Sequence, residues 1–141
     1  MAHHPIHPAL VHLPIGCFSL ATLADVANYF FDIAFFPADT VLLIGIVAAV
    51  PAMIAGLVEF LNVDDPLALK TAHLHMALML TAWTIYLFSY LLRIESINLP
   101  GISHWNHGAQ WLSCFAFFCL IVGGWLGGRL VYHHGIGVDN L

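Results

Sequence analysis

Histidine is the residue type in this sequence with the clearest capacity for chemistry. Ten of the 141 residues are histidines, and a neutral imidazole is a ligand for haem iron and for transition metals. His7 and His12 are turned by about 140° from one another around a helix, and His73 and His75 by about 200°. One member of each pair can therefore point into a helix bundle while the other points elsewhere, and the spacing leaves open which member it is.

These histidines could form a site for haem b. Such a site needs two axial imidazoles from facing helices at similar depth, a close approach of the backbone to the haem plane, and basic groups near the propionates. We favour His12 and His75 as the axial ligands. The other residues that we predict to line this cofactor site are His7, His73, His134, Gly124, Gly128 and Arg129, with Lys70 as a second source of positive charge.

Two other interpretations of the same cluster stay open. Several imidazoles and one carboxylate suit zinc, copper or iron, and the residues predicted for such a metal site are His7, His12, His75, His134 and Glu59. Alternatively, the histidines bind no cofactor and form hydrogen bonds to the backbone, to Glu59 or to water, which would hold the helices together. The expected cofactor is thus haem b, another transition metal, or none.

The composition places the chain in a membrane. Hydrophobic residues make up 61% of the sequence, charged residues make up 8%, and the mean hydropathy is +0.90, which leaves too little polar surface for a soluble domain of this length. The formal net charge of -5 provides no basic patch for nucleic acid. The predicted surrounding is therefore the lipid bilayer, and no cleaved signal peptide is expected at the N-terminus.

Four apolar stretches are long enough to cross a bilayer as helices, which takes roughly 20 residues each. They lie near 9–31, 40–62, 67–92 and 108–131, within a single domain of residues 1–141. The short connectors between them make successive helices antiparallel. We therefore predict an all-α fold, an integral membrane antiparallel four-helix bundle.

The antiparallel order sorts the polar residues between two ends of the bundle. End A holds the starts of the first and third helices and the ends of the second and fourth, and end B holds the opposite helix ends. The candidate ligands all fall at end A, whereas His104 and His107 fall at end B. Both chain termini should lie on the same side of the membrane, and Lys70 and Arg129 against Arg93 favour a cytoplasmic end A.

Asp25 lies deep within the first predicted helix, towards end B. An unpaired carboxylate inside a membrane is costly, so this residue requires a partner. Arg93 is the nearest basic candidate, and we predict a structural pair between the two, with a proton relay as the lesser alternative. No nucleophile–base arrangement, phosphate-binding loop or dinucleotide fingerprint occurs in the sequence, which argues against hydrolytic and phosphoryl-transfer enzymes.

Glycines recur near the end of the fourth helix. Gly123 and Gly127 stand four residues apart, as do Gly124 and Gly128. This spacing predicts that another helix packs closely here, or that a flat cofactor lies against the glycines.

Three segments carry unusual motifs, namely HPALVHLP at 7–14, GLVE at 56–59 and GGWLGGRLVYHHGIGV at 123–138. Together with a histidine early in the third helix, they resemble the DUF2231 family of four-helix bacterial membrane proteins. The likeness covers nearly the whole chain. The family positions that it implies here are His7, His12, Glu59, His73 or His75, and His134, and Glu59 stands where the family more often has aspartate.

The resemblance implies a redox role, because the family's domain is found joined to Rieske-type or cytochrome c-type modules. We therefore expect a b-type cytochrome-like electron-transfer subunit of the bacterial inner (cytoplasmic) membrane, with a histidine-ligated haem near one membrane face. Its electrons would come from quinone or from another membrane or redox subunit, and it would be a subunit rather than an independent enzyme. The alternatives are a non-catalytic accessory subunit of a larger membrane complex and a metal site of histidine and glutamate.

Overall fold

Four long helices account for most of the chain. The computed structural model describes residues 6–31, 38–98 and 105–136. The helices are α1 (Ile6–Phe31), α2 (Ala38–Phe60), α3 (Pro66–Asn98) and α4 (Trp105–Tyr132). Each helix is long and apolar enough to cross a membrane, and the described residues contain no strand. The prediction of an all-α membrane bundle is confirmed.

The helix ends follow local chemistry. α3 begins at Pro66, where the missing N–H of proline costs nothing, and the carboxylate of Asp65 accepts hydrogen bonds from the amides of Leu67 and Ala68, both at 3.1 Å. Such a cap satisfies amides that have no partner inside the helix. α3 also continues beyond the predicted end at 92, because the charge of Arg93 is paired with the carboxylates of Asp25 and Asp39.

The helices pack as two antiparallel hairpins. α3 packs most extensively on α4 and α1 on α2, while α1 also contacts α4 and α2 also contacts α3. The start of α1 lies against the end of α2, where His7 reaches Ala52. The end of α4 lies against the start of α3, where Leu130 packs on Ala68 and Ala72. The first and last described residues therefore lie at the same end of the bundle, end A.

Small residues, one aromatic pair and a few large aliphatic side chains fill the interior. Ala21, Ala82 and Ala116 are buried, and the rings of Phe18 and Tyr86 stack with their centroids 4.2 Å apart. Large apolar side chains mostly cover the outside of the bundle. This distribution suits lipid, because apolar side chains gain nothing from leaving hydrocarbon and small residues let the helices approach closely.

Candidate functional site

His7 lies between the start of α1 and the end of α2. Its Nδ1 atom is 2.8 Å from the carbonyl oxygen of Ala52. The ring also lies against Gly56, where an added Cβ would be only 2.8 Å from the ring's Cε1 atom. Glycine at this position therefore makes room for the imidazole.

His75 occupies an equivalent position between α3 and α4. Its Nδ1 atom is 2.8 Å from the carbonyl oxygen of Gly123. The ring lies against Gly127, where an added Cβ would be 2.9 Å from Cε1. His73 and His75 are thus distinguished, since His75 is the member of the pair that points between the helices.

The two hairpins repeat one local design. In each, a histidine near end A donates to a carbonyl of the next helix, and a glycine stands four residues after the residue that supplies the carbonyl. The pairs are Ala52 and Gly56 on α2, and Gly123 and Gly127 on α4. Residues four apart lie on the same side of a helix, so a side chain in place of either glycine would block the path of the imidazole to the carbonyl.

The hydrogen bonds determine which ring nitrogen carries the proton. A carbonyl oxygen can only accept, so Nδ1 of His7 and of His75 must donate, and each Nε2 carries the lone pair. Neither Nε2 atom has a hydrogen-bond partner among the described residues. The two side chains are also close enough to interact electrostatically. Imidazoles that bind metals are oriented in this way, with the other ring nitrogen donating to a carbonyl or carboxylate.

His12 and His73 point away from this pair. Both side chains are exposed on the outside of the bundle. Nδ1 of His12 lies 3.4 Å from the carbonyl oxygen of Ala9, and Nδ1 of His73 lies 2.8 Å from that of Leu69. The His73 ring also packs edge-on against Phe60 of α2. His12, which the sequence favoured as an axial ligand, is therefore not brought to His75, because its position on α1 is turned away from the side that carries His7.

The glycines of α4 divide between two faces. Gly123 and Gly127 face α3 and its His75, whereas an added Cβ at Gly124 or Gly128 would meet no atom within 4 Å among the described residues. Gly124 and Gly128, predicted to line the cofactor site, are thus on the outer face of α4. The close helix packing that the spacing predicts occurs instead at Gly123 and Gly127, each one residue earlier in the sequence.

Arg129 also lies on the outer face of α4. Its guanidinium carbon is 5.8 Å from the centre of the Trp125 ring, and both side chains are exposed. The arginine predicted to neutralise haem propionates therefore faces the surroundings of the bundle. Lys70, the alternative base, is likewise exposed, on α3.

His134 lies in the turn that follows α4 and contacts the residue that caps the start of α3. Gly135 adopts a left-handed conformation with φ of 65°, and the amide of Ile136 donates to the carbonyl of Leu130 over 3.0 Å. This turn places Nδ1 of His134 3.5 Å from Oδ2 of Asp65. The amides that cap α3 hold the pKa of the Asp65 carboxyl below its usual range, with the nearby imidazole as a smaller cause.

The residues predicted for a multi-ligand metal site are not gathered at one point. Within residues 6–31, 38–98 and 105–136, no group of three or more His, Cys, Asp or Glu side chains is arranged to hold a metal ion. Glu59 is half-buried, and its carboxylate has no hydrogen bond or ion pair within this part of the chain. Nε2 of His134 is buried and has no described hydrogen-bond partner.

End B contains a buried ion-pair network. Nη1 of Arg93 donates to Oδ1 of Asp25 and to Oδ1 of Asp39, both over 2.9 Å, and Nη2 donates to the second Asp25 oxygen and to Ser113 over 2.9 Å. The predicted pair of Asp25 and Arg93 is confirmed. Sequence reasoning missed Asp39 and Ser113, although an acid in the first turn of α2 has to fall at end B. The proton relay stays a prediction.

A family model described as a predicted membrane protein, DUF2231, matches residues 3–140. The chain belongs to this family. No curated protein and no solved structure matches the chain. In this DUF2231 protein, each of the three motifs supplies a part of the histidine design, since 7–14 contains His7, 56–59 contains Gly56 and 123–138 contains both Gly123 and Gly127.

Proposed function

We propose that this protein is an electron-transfer subunit of the bacterial inner membrane that holds a b-type haem between His7 and His75 at end A. The observation that carries the proposal is the matched pair of hydrogen bonds from Nδ1 of each histidine to a carbonyl of the neighbouring helix. These bonds leave both Nε2 atoms with a lone pair for iron.

The number of imidazoles oriented by carbonyl hydrogen bonds at end A favours haem over a bare metal ion. A porphyrin supplies four equatorial nitrogens, so a haem needs only two axial ligands from the protein, whereas zinc takes three or four protein ligands. His7 and His75 provide the smaller set. In the part of the chain that the structure describes, no third histidine, cysteine or carboxylate joins them in a metal-binding group.

The residues around the two imidazoles fit this role. Gly56 and Gly127 leave room for the two imidazole rings, which an added Cβ would contact, and the carbonyls of Ala52 and Gly123 fix each ring's orientation and tautomer. A hydrogen bond to a carbonyl also makes the opposite nitrogen a better donor to iron. Haem iron with two imidazole ligands would carry one electron at a time, and the protein would set its potential through these bonds and through burial.

The remaining parts of the proposal follow from membrane placement. Both termini would lie on the same side of the membrane, because the four crossings are even in number and the first and last described residues lie at end A. The electron donor and acceptor are quinone or another membrane or redox subunit, which reaches the site from end A.

One observation favours a second candidate, a non-catalytic accessory subunit. The bonds of His7 to Ala52 and of His75 to Gly123 join neighbouring helices even without a cofactor. In that case the histidines stabilise the bundle, and the protein acts by packing against other subunits. The two candidates differ in what is lost when a histidine is replaced by a residue that keeps the hydrogen bond.

Haem content separates the candidates. The protein is produced in a host with sufficient haem and purified in mild detergent, and haem per chain is measured as the pyridine haemochrome. His7→Gln and His75→Gln keep a donor for the carbonyl but remove the imidazole, so we expect both variants to lose haem. His12→Gln and His73→Gln change exposed histidines of the same helices, and we expect them to retain it.

Two outcomes would refute haem binding at this site. A wild-type protein that is purified without haem removes the electron-transfer proposal and favours the accessory subunit. Haem that persists in His7→Gln and His75→Gln would show that other residues bind the iron. Far-UV circular dichroism of every variant shows whether the helices are retained, so that a loss of haem is not confused with a loss of fold.

A further inference from the structure

An open groove of about 430 Å³ lies on the outer face of α4 near end A. It is lined by Trp125, Gly128, Arg129, Tyr132 and His133. The floor is open because Gly128 has no side chain and an added Cβ there would meet no described atom within 4 Å. This groove is separate from His75, which lies on the side of α4 that faces α3.

Arg129 gives the groove a positive charge that no carboxylate of the described residues neutralises. No carboxylate of the described residues lies within ion-pair distance of Arg129, although the whole chain has a formal net charge of -5. Its contact with Trp125, at 5.8 Å from the ring centre, positions the guanidinium over the groove. An arginine that is positioned in this way offers a planar pair of donors that matches the oxygens of a phosphate.

The position along α4 matches the boundary between headgroups and hydrocarbon. The helix ends at Tyr132, and Trp125 lies about 10 Å deeper at a rise of 1.5 Å per residue. Tryptophan and tyrosine are enriched at this level of a membrane. Gly124 lies one turn before Gly128, and an added Cβ there would likewise meet no described atom within 4 Å. It extends the groove towards the hydrocarbon, where an acyl chain would lie.

We infer that this groove binds an anionic phospholipid, with its headgroup phosphate on the guanidinium of Arg129 and an acyl chain along Gly128 and Gly124. The positive charge of Arg129 favours an anionic lipid over a zwitterionic one, because the arginine would repel a cationic amine in the headgroup. Basic residues near a membrane surface attract anionic lipids in this manner. The inference stands independently of haem binding.

The test is a lipid titration of the purified full chain in neutral detergent, followed by native mass spectrometry. We expect dioleoyl phosphatidylglycerol to bind more tightly than dioleoyl phosphatidylcholine. Arg129→Gln should weaken phosphatidylglycerol binding about five-fold, the change that corresponds to about 1 kcal/mol for one basic residue. Lys70→Gln removes the same charge at the same end of the bundle outside the groove, and we expect it to bind as the wild type does.

Gly128→Leu gives a second variant that leaves the charge in place. A Cβ at this position would meet no described atom within 4 Å, and the rest of the leucine side chain would occupy the groove, so we expect the helices to form and lipid binding to fall. Equal affinity for the two lipids, or unchanged binding in Arg129→Gln, would overturn the inference. So would full competition by inorganic phosphate, which would indicate a free-anion site, or a dimer that Gly128→Leu converts to a monomer, which would indicate a contact between copies of the chain.

Discussion

The Nδ1 atom of His75 on α3 lies 2.8 Å from the carbonyl oxygen of Gly123 on α4. The same relationship joins His7 and Ala52 in the other hairpin. In both cases a glycine four residues further along the accepting helix leaves the carbonyl open to the ring. The fold therefore presents two imidazoles in one tautomer at one end of the bundle, and this pair is the basis for the proposed haem site.

The glycines on the two faces of α4 should respond differently to an added methyl group. We expect Gly127→Ala to lower the free energy of unfolding by about 1–3 kcal/mol, because the methyl group overpacks against the His75 ring. Gly124→Ala should change it little or raise it by up to about 1 kcal/mol, since alanine favours a helix over glycine. Unfolding in mixed micelles measures both, and similar losses in the two variants would contradict the assignment of faces.

Much of this site could not be predicted from sequence for a geometric reason. Spacing shows that His7 and His12, or Gly127 and Gly128, lie on different sides of a helix. It does not show how each helix is rotated about its own axis relative to its neighbours. Which side faces the neighbouring helix depends on packing of the whole bundle. The helices, their order and the shared end were predictable because they follow from hydropathy and connector length. The sequence favoured His75 without deciding between it and His73, and the positions of Gly123 and Gly127 against α3 follow only from the packing of the helices.

The buried network at end B predicts unequal effects for its two acids. Asp25→Asn should lower the free energy of unfolding by about 3–5 kcal/mol, because it leaves a buried guanidinium without its main counter-charge. The side chain of Asp39 is 54% exposed, so Asp39→Asn should cost less than about 1 kcal/mol. Each variant removes one negative charge that is paired with Arg93. Equal losses of stability would show that burial of the carboxylate does not determine how much each ion pair stabilises the fold.

The pair of Asp25 and Arg93 was predictable because a deep carboxylate needs a cation and the sequence has few. Asp39 and Ser113 were harder to predict. Their contribution depends on how far the long side chain of Arg93 reaches across the bundle, which hydropathy does not describe.

The cap at the start of α3 predicts a dependence of stability on pH. The pKa of Asp65 is lowered in the folded protein by hydrogen bonds from Leu67 and Ala68. Its stabilising effect is therefore fully present above the ordinary aspartate pKa of about 3.9 and is lost as the pH falls through the lower folded-state value. We expect Asp65→Ala to melt below the wild type at pH 7, and the difference to disappear in strong acid.

Asp64→Ala is the matched control for this measurement. Asp64 is exposed and adjacent to the cap, but neither amide donates to it. We expect its melting temperature to follow that of the wild type throughout the titration. A difference for Asp65→Ala that grows as the pH falls would mean that the protonated carboxyl stabilises the folded state more than the carboxylate does, contrary to the lowered pKa of Asp65.

The topology is open to a direct test with reporters. Fusions at the N-terminus and at the C-terminus should report the same side of the membrane, because α1 begins and α4 ends at end A. A reporter inserted between α2 and α3 should report that side too, and one inserted between α1 and α2 the opposite side. Reporters that place the two termini on opposite sides would exclude four full crossings.

The reduced-minus-oxidised absorption spectrum of the purified wild-type protein tests the proposed function most directly. The proposal predicts a Soret band and sharp α and β bands on reduction, as a haem with two imidazole ligands gives. A protein produced with sufficient haem that shows no such bands in either redox state would contradict it.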